Sequence, residues 1–202
     1  MMRIKVPGFR FQAFLLSFCA LVFISCAYAQ DAAIKQVVMI IPRVEFRDDE
    51  FFPPKQVLEK EGILVKVASS TLDEAKGSLG ARVKPDMLFT DVNMGDFDAV
   101  IFIGGEGSTE YWDNPFAHKL ARNAVAFNKI VAAICIAPIT LGKAGILKGK
   151  RATVHPSQEA ELKALGADYT GRSVEKDGNI ITANGPSAAV EFGVEILRAL
   201  KY

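Results

Sequence analysis

The chain has 202 residues, 50% of them hydrophobic, with 24 basic and 23 acidic side chains and a net charge of +1. That size and apolar content suffice for one ordinary domain with a real core, and a near-neutral balance without a basic cluster excludes nucleic acid or an anionic membrane as the partner. Three cysteines and two histidines offer too few soft ligands for a metal site, and neither a metal nor another cofactor is expected.

Residues 1–29 read as a signal peptide. Arg3, Lys5 and Arg10 form a positive n-region, Phe14 to Ser25 a short apolar h-region, and Ala27-Tyr28-Ala29 an A-x-A cleavage signature before Gln30. The apolar run is too short and too abruptly ended for a membrane span, so no stable insertion is expected after cleavage. Two alternatives stay open: an uncleaved anchor, and a lipoprotein acylated on Cys26 in Phe23-Ile24-Ser25-Cys26. Removing residues 1–29 takes away three positive charges and no negative ones, so 24 basic and 23 acidic residues become 21 and 23, a net charge of −2. The expected product is a periplasmic or secreted single domain, residues 30–202, whose one cysteine is Cys135. A free thiol in an oxidising compartment is either well buried or used.

Beyond the leader, apolar runs alternate with helical patterns, the signature of an α/β fold. In chain order the expected elements are a strand at Gln36–Ile41, a helix at Pro53–Glu61, and strands at Ile63–Ala68 and Ala99–Ile103. A helix at Pro115–Asn128, a strand at Ile130–Ile134, and helices at Ile139–Ala144 and Ser157–Leu165 follow. The strands are rich in β-branched residues and almost continuously apolar, as parallel strands covered on both faces must be. The expected architecture is a mostly parallel central sheet flanked by helices on both faces, a flavodoxin-like sandwich. Ser173–Lys176 and Asn179–Ala183 form a hairpin about Asp177-Gly178. After Gly185, Pro186 opens a closing helix whose apolar stripe is Val190, Val194 and Leu197 with Phe192 and Ile196.

Chemistry gathers at the ends of the apolar strands. Cys135 follows Ala132-Ala133-Ile134, and a strand that turns directly into a helix exposes its junction residue at the carboxyl edge of the sheet. Such an elbow needs small residues two positions to either side, which Ala133 and Ala137 supply. Pro138 opens the next helix, whose N-terminus favours a thiolate. A buried cysteine behaving as a small hydrophobe is the alternative. Ile103-Gly104-Gly105-Glu106-Gly107 ends another strand; the Gly105 N–H beside that of Ile136 is a candidate oxyanion donor pair, with Gly104 allowing the close approach, although a plain strand-to-loop turn would need the same glycines. No phosphate-loop lysine or full dinucleotide fingerprint follows.

Taken together, Ala132-Ala133-Ile134-Cys135, Ile103-Gly104-Gly105, Val154-His155-Pro156 and Val174 to Thr182 followed by Gly185-Pro186 resemble the ThiJ/PfpI family of the class I glutamine amidotransferase-like superfamily, across essentially the whole mature chain. The resemblance implies an acidic partner for the cysteine just after the first strand, and counting back from Gly62 places it at Glu50. There a protonated carboxyl would hydrogen-bond the thiolate, a role that needs burial and a raised pKa. Asp48, Asp49 and Glu50 could also simply complement a helix N-terminus. His155 matches a histidine that the family places near its nucleophile in aldehyde-processing members; a strand-end histidine held by backbone bonds is the alternative. His118 lies in an amphipathic helix pattern and reads as a surface residue. Ile136 stands where the peptidase branch carries an adjacent histidine base, so peptidase activity is not expected. Glutamate rather than aspartate at position 50 also points away from the isonitrile-hydratase branch.

The resemblance therefore implies a cofactor-independent glyoxalase or deglycase with Cys135, Glu50 and His155 at its centre. Its substrate would be methylglyoxal or a related small reactive carbonyl, and its assembly a homodimer. A non-enzymatic redox sensor would use the same cysteine, and an inactive binding module could share the scaffold.

Overall fold

The computed structural model describes residues 34–201 and Met2. The expected signal peptide, its cleavage point and Cys26 lie outside the described residues.

The chain from Ile34 onward forms one compact unit. It begins with β1 (Gln36–Ile40), β2 (Val44–Phe46), helix α1 (Asp48–Lys60) and β3 (Leu64–Ser69). Short strands β4 (Ala75–Gly77), β5 (Arg82–Val83) and β6 (Met87–Leu88) lead to β7 (Ala99–Phe102), α2 (Pro115–Ala126), β8 (Ile130–Ile134) and α3 (Pro138–Lys143). The last part runs β9 (Arg151–Ala152), α4 (Glu159–Ala164), β10 (Asp168–Tyr169), β11 (Val174–Asp177), β12 (Ile180–Ala183) and α5 (Ala189–Lys201).

Seven strands make the main sheet in the order β11-β12-β8-β7-β1-β3-β6, parallel throughout except for β11, which runs antiparallel to β12. Strand alternation feeds two cores. Val37 and Met39 point into one with Phe51, Leu58, Phe192 and Ile196 from α1 and α5. Val38 and Ile40 point into the other with Leu120 of α2, Ile139 of α3 and Leu162 of α4. β1, β7 and β8 are therefore apolar on both faces, which is why the sequence shows continuous runs there rather than alternation. The expected sandwich is the one observed.

Phe192 is fully buried between α5 and the sheet. Phe192→Ala should cost about 3–5 kcal/mol, the usual range for deleting a buried aromatic ring. Urea denaturation would measure it, and a loss under about 1 kcal/mol would remove α5 from the core.

Three elements differ from expectation. The first helix starts at Asp48 rather than Pro53, with Pro53 and Pro54 inside it. Proline there leaves the carbonyls of Asp49 and Glu50 without their usual intrahelical donors, and the acidic first turn offsets part of that cost by complementing the helix dipole. The hairpin turns at Gly178-Asn179, because Asp177 already pairs with Ile180; Gly178 takes φ 62°, the backbone that only glycine adopts without strain. Val190 is 58% exposed and is not part of the α5 stripe, which is Ala189, Phe192, Gly193, Ile196 and Leu200, the i, i+3, i+4, i+7, i+11 spacing of one helical face.

The chain builds β1 and β3, then crosses to the other side of β1 for β7 and β8. This reversal opens a crevice beyond the carboxyl ends of β1, β7 and β8, the usual ligand position of an open parallel sheet.

Candidate active site

Cys135 ends β8 at φ 63°, a left-handed conformation that costs a non-glycine residue roughly 1–3 kcal/mol. The surroundings hold it there. Its N–H donates to the Ala183 carbonyl at 2.9 Å, its carbonyl accepts the His155 N–H at 2.8 Å, and the Ala137 N–H closes the turn onto the Ile134 carbonyl at 3.1 Å. Ala133 and Ala137 are both buried, so larger side chains would not fit beside the elbow. The Trp112 indole N–H donates to the Ile136 carbonyl at 3.2 Å, bracing the turn from the α2 side. Cys135 remains 8% exposed and lines a cavity of about 360 Å³ with Glu45, Arg47, Glu50, Ser78, Gly105, Glu106, Ile136, His155, Ser157 and Pro186.

Glu50 reaches the same point from α1 and is fully buried. A Cβ on Gly104 would strike the Glu50 Oε2, come within 2.5 Å of the Cys135 Cβ and within 2.8 Å of the Ile134 carbonyl. Carboxyl and thiol thus meet over a glycine that can be nothing larger. Gly105, at φ 102°, packs as closely, since a Cβ there would strike the Glu45 carbonyl and approach the Arg47 nitrogen at 2.7 Å.

Neither Glu50 oxygen has a well-formed hydrogen bond, yet carboxyl and thiol lie near enough for each to alter the other's titration. Burial pushes the Glu50 carboxyl up to about 7, against the lowering pull of the thiol and of the Arg47 charge. Burial and the Glu50 anion push the Cys135 thiol up to about 12, while the Gly105 and Ile136 N–H groups favour its ionised form. Two acids this close titrate as a pair. The pair accepts its first negative charge near neutrality and resists the second, because burial and mutual repulsion both oppose it. When the proton rests on Glu50 the repulsion at sulfur is gone, and the two N–H groups are left facing a thiolate. The short α3 has Pro138 in its first turn; the groups that act on the sulfur directly are the two loop N–H donors, not the helix.

His155 lines the same cavity. Its Nδ1 accepts the Ser157 N–H at 3.3 Å and lies 2.8 Å from the Ser157 Oγ, so the proton of the neutral ring sits on Nε2. With Nδ1 engaged by Ser157, only Nε2 of the ring is left to act on a ligand, and it does so as a donor. His118 lies elsewhere and is half-buried, its Nε2 2.7 Å from the Trp112 carbonyl; the surface position expected from its helix pattern is only partly realised.

The sequence profile of the DJ-1/PfpI family matches residues 35–199. The chain belongs to the DJ-1/PfpI family.

Among its relatives is an uncharacterised protein of Methanocaldococcus jannaschii, 45% identical over 82% of each chain. A protein of Pyrococcus abyssi named as a deglycase is 32% identical over 81% of this chain and 99% of its own, and one of Caenorhabditis elegans named as a glutathione-independent glyoxalase is 29% identical over 84% and 91%. The solved ThiJ/PfpI domain protein of Brachyspira murdochii superposes with a TM-score of 0.81 at 31% identity, covering 83% of this chain and 97% of that one.

In this DJ-1/PfpI chain five of the six residues singled out from sequence, Cys135, Glu50, His155, Gly105 and Ile136, line one cavity, and the sixth, Gly104, packs against Glu50 and Cys135; they come from four separate segments. Sequence reasoning missed Arg47, Glu45, Ser78, Glu106 and Ser157 on the same walls. Arg47 had a readable signal: a helix started at Asp48 instead of Pro53 puts it at the N-cap, one turn from Glu50. Ser78 had none, because the small β2-β4-β5 sheet that brings it in is made of strands too short for periodicity to show. That sheet is fixed by Asp48, whose carboxylate accepts the Leu79 N–H at 2.9 Å and the Ala81 N–H at 2.7 Å.

Proposed function

We propose that this protein is a cysteine-dependent glyoxalase or deglycase that converts methylglyoxal, or related reactive carbonyls and their amine adducts, to a 2-hydroxy acid without an external cofactor. The observation carrying the reading is the strained, half-enclosed Cys135 facing a fully buried carboxyl with a raised pKa, an arrangement that costs stability and makes a nucleophile. Relatives named deglycase and glyoxalase support it at the level of the family.

The route uses few groups. The Cys135 thiolate adds to the aldehyde carbon, and the carbonyl π electrons move to oxygen, where the Gly105 and Ile136 N–H groups stabilise the oxyanion. Protonation gives a hemithioacetal. Glu50, as carboxylate, removes the proton from that carbon and returns it to the neighbouring ketone carbon, while His155 Nε2–H donates to the developing enediolate oxygen. The product is a thioester of lactate; water hydrolyses it and the thiolate leaves. For an amine adduct, a hemiaminal, the thiolate displaces the amine, which leaves with the proton of the Glu50 carboxyl; the hemithioacetal so formed follows the same route. Export through residues 1–29 and homodimer assembly belong to the same proposal.

A second reading has an observation of its own. The Gly105 and Ile136 N–H groups bear on the sulfur itself, so oxygen added to sulfur by peroxide would meet ready donors, as an oxidation sensor requires. One experiment separates the two: lactate formation from methylglyoxal by the purified protein, beside peroxide titration followed by peptide mass analysis. Lactate production is expected. Oxidation of Cys135 with no carbonyl turnover would replace the enzyme reading with the sensor.

A further inference from the structure

Few charged groups face the Cys135–Glu50 pair. Helix α1 contributes Asp49 and, at its N-cap, Arg47; β2 contributes Glu45, the glycine turn after β7 contributes Glu106, and the segment between β9 and α4 contributes His155. Arg47 is the one permanent cation among them, and it is fixed at both backbone and side chain.

The Arg47 N–H donates to the Gly104 carbonyl at 3.0 Å, and its carbonyl accepts the N–H groups of Glu50 and Phe51, both at 3.1 Å. The main chain of one residue therefore joins the glycine turn to the first turn of the helix that carries Glu50. The guanidinium makes a two-pronged bond to Asp49, Nε to Oδ1 at 3.0 Å and Nη2 to Oδ2 at 2.9 Å. A planar fork held this way keeps its direction with less ordering cost than a single contact would need. Nη1 has no protein partner among the described residues, and the side chain forms part of the cavity wall. Its charge is felt at both Glu50 and Cys135, although 37% exposure of the side chain means that solvent and salt weaken the effect.

We propose that Arg47 is a positioning residue of this site: clamped by Asp49 against the cavity wall, its fixed positive charge makes the single negative charge shared by Cys135 and Glu50 available at neutral pH. The proposal rests on Cys135 being a nucleophile, but not on carbonyl turnover. Asp49 acts in two senses, aiming the guanidinium and opposing it with a charge of its own.

The test is the pH dependence of iodoacetamide alkylation, with peptide mapping to follow Cys135 alone. Arg47→Gln should raise the midpoint of the first titration step by about one pH unit, which lowers the alkylation rate about fivefold at neutral pH and about tenfold well below the midpoint. Arg47→Lys, which keeps the charge, should recover most of the shift, and added salt should narrow the gap between wild type and Arg47→Gln. If Arg47→Gln does not fold, the wild-type midpoint is read against salt, and it should rise as salt screens the cation. A folded Arg47→Gln protein with an unmoved midpoint, an Arg47→Lys midpoint no lower than that of Arg47→Gln, or, should Arg47→Gln not fold, a wild-type midpoint indifferent to salt would overturn the proposal. Lost carbonyl turnover beside an intact alkylation shift would instead count against the enzymatic reading alone.

Discussion

Cys135→Ser is expected to reduce carbonyl turnover by at least about a thousandfold while leaving the fold in place. The serine hydroxyl would occupy the same elbow, yet it has no base to activate it. Ile136 contributes only an aliphatic side chain, and His155 directs its Nδ1 lone pair to Ser157. Glu50 could take a proton from a thiol whose anion is held by two N–H groups, but an alkoxide lies far above the reach of a carboxylate with pKa about 7. The structural cost is small, since the change replaces one atom at a residue whose backbone bonds to Ala183 and His155 are main-chain bonds; stability should move by no more than about 1 kcal/mol. Lactate formation and a urea melt on the same preparation check both halves. A folded serine variant with near-normal turnover would sink the covalent route.

Glu50→Gln should lower turnover by about 10²–10⁴, the range for a positioned proton-transfer group, and should raise stability in a pH-dependent way. The sign follows from where the proton sits. In the unfolded chain Glu50 ionises at its ordinary value of 4.5, whereas in the folded chain its pKa is about 7. The folded state therefore holds a proton that the unfolded state has released. The wild-type advantage from this group is complete below pH 4.5 and is lost as pH rises to about 7, a decline of roughly 3 kcal/mol. Coupling to Cys135 leaves the direction unchanged, because burial opposes the first charge on either partner. Glutamine has no proton to lose, so the stability gained by Glu50→Gln should be small in acid and largest above neutrality. Thermal melts across pH would show it; a gain that shrank toward alkaline pH would contradict a buried, proton-holding carboxyl.

Much of this was legible in the chain because the main strands carry strong, redundant signals. The β1, β7 and β8 runs are apolar on both faces, and a buried parallel strand permits little else. Cys135 was legible only in combination: small residues two positions to either side at the end of such a strand allow an elbow or a buried structural cysteine alike, and the glycine turn, Glu50 and His155 gave the thiol its neighbours. The sequence was less informative where local preference and tertiary demand part company. Pro53 looks like a helix start, since proline is usually tolerated only in the first turn, but the three acids before it already form that turn. Val190 is as apolar as Phe192, and only the phase of α5 against α1 decides which is covered. Arg47 and Ser78 reach the cavity through an N-cap and a three-strand patch, features too short to leave a period.

Trp112 is the chain's one tryptophan, and its indole N–H is tied to the Ile136 carbonyl, one residue beyond Cys135. Indole emission depends on the polarity and hydrogen bonding around the ring, so the protein carries an intrinsic optical reporter in contact with the Cys135 turn. Adduct formation, oxidation and release at Cys135 could therefore be followed in real time, without a label and before any product accumulates.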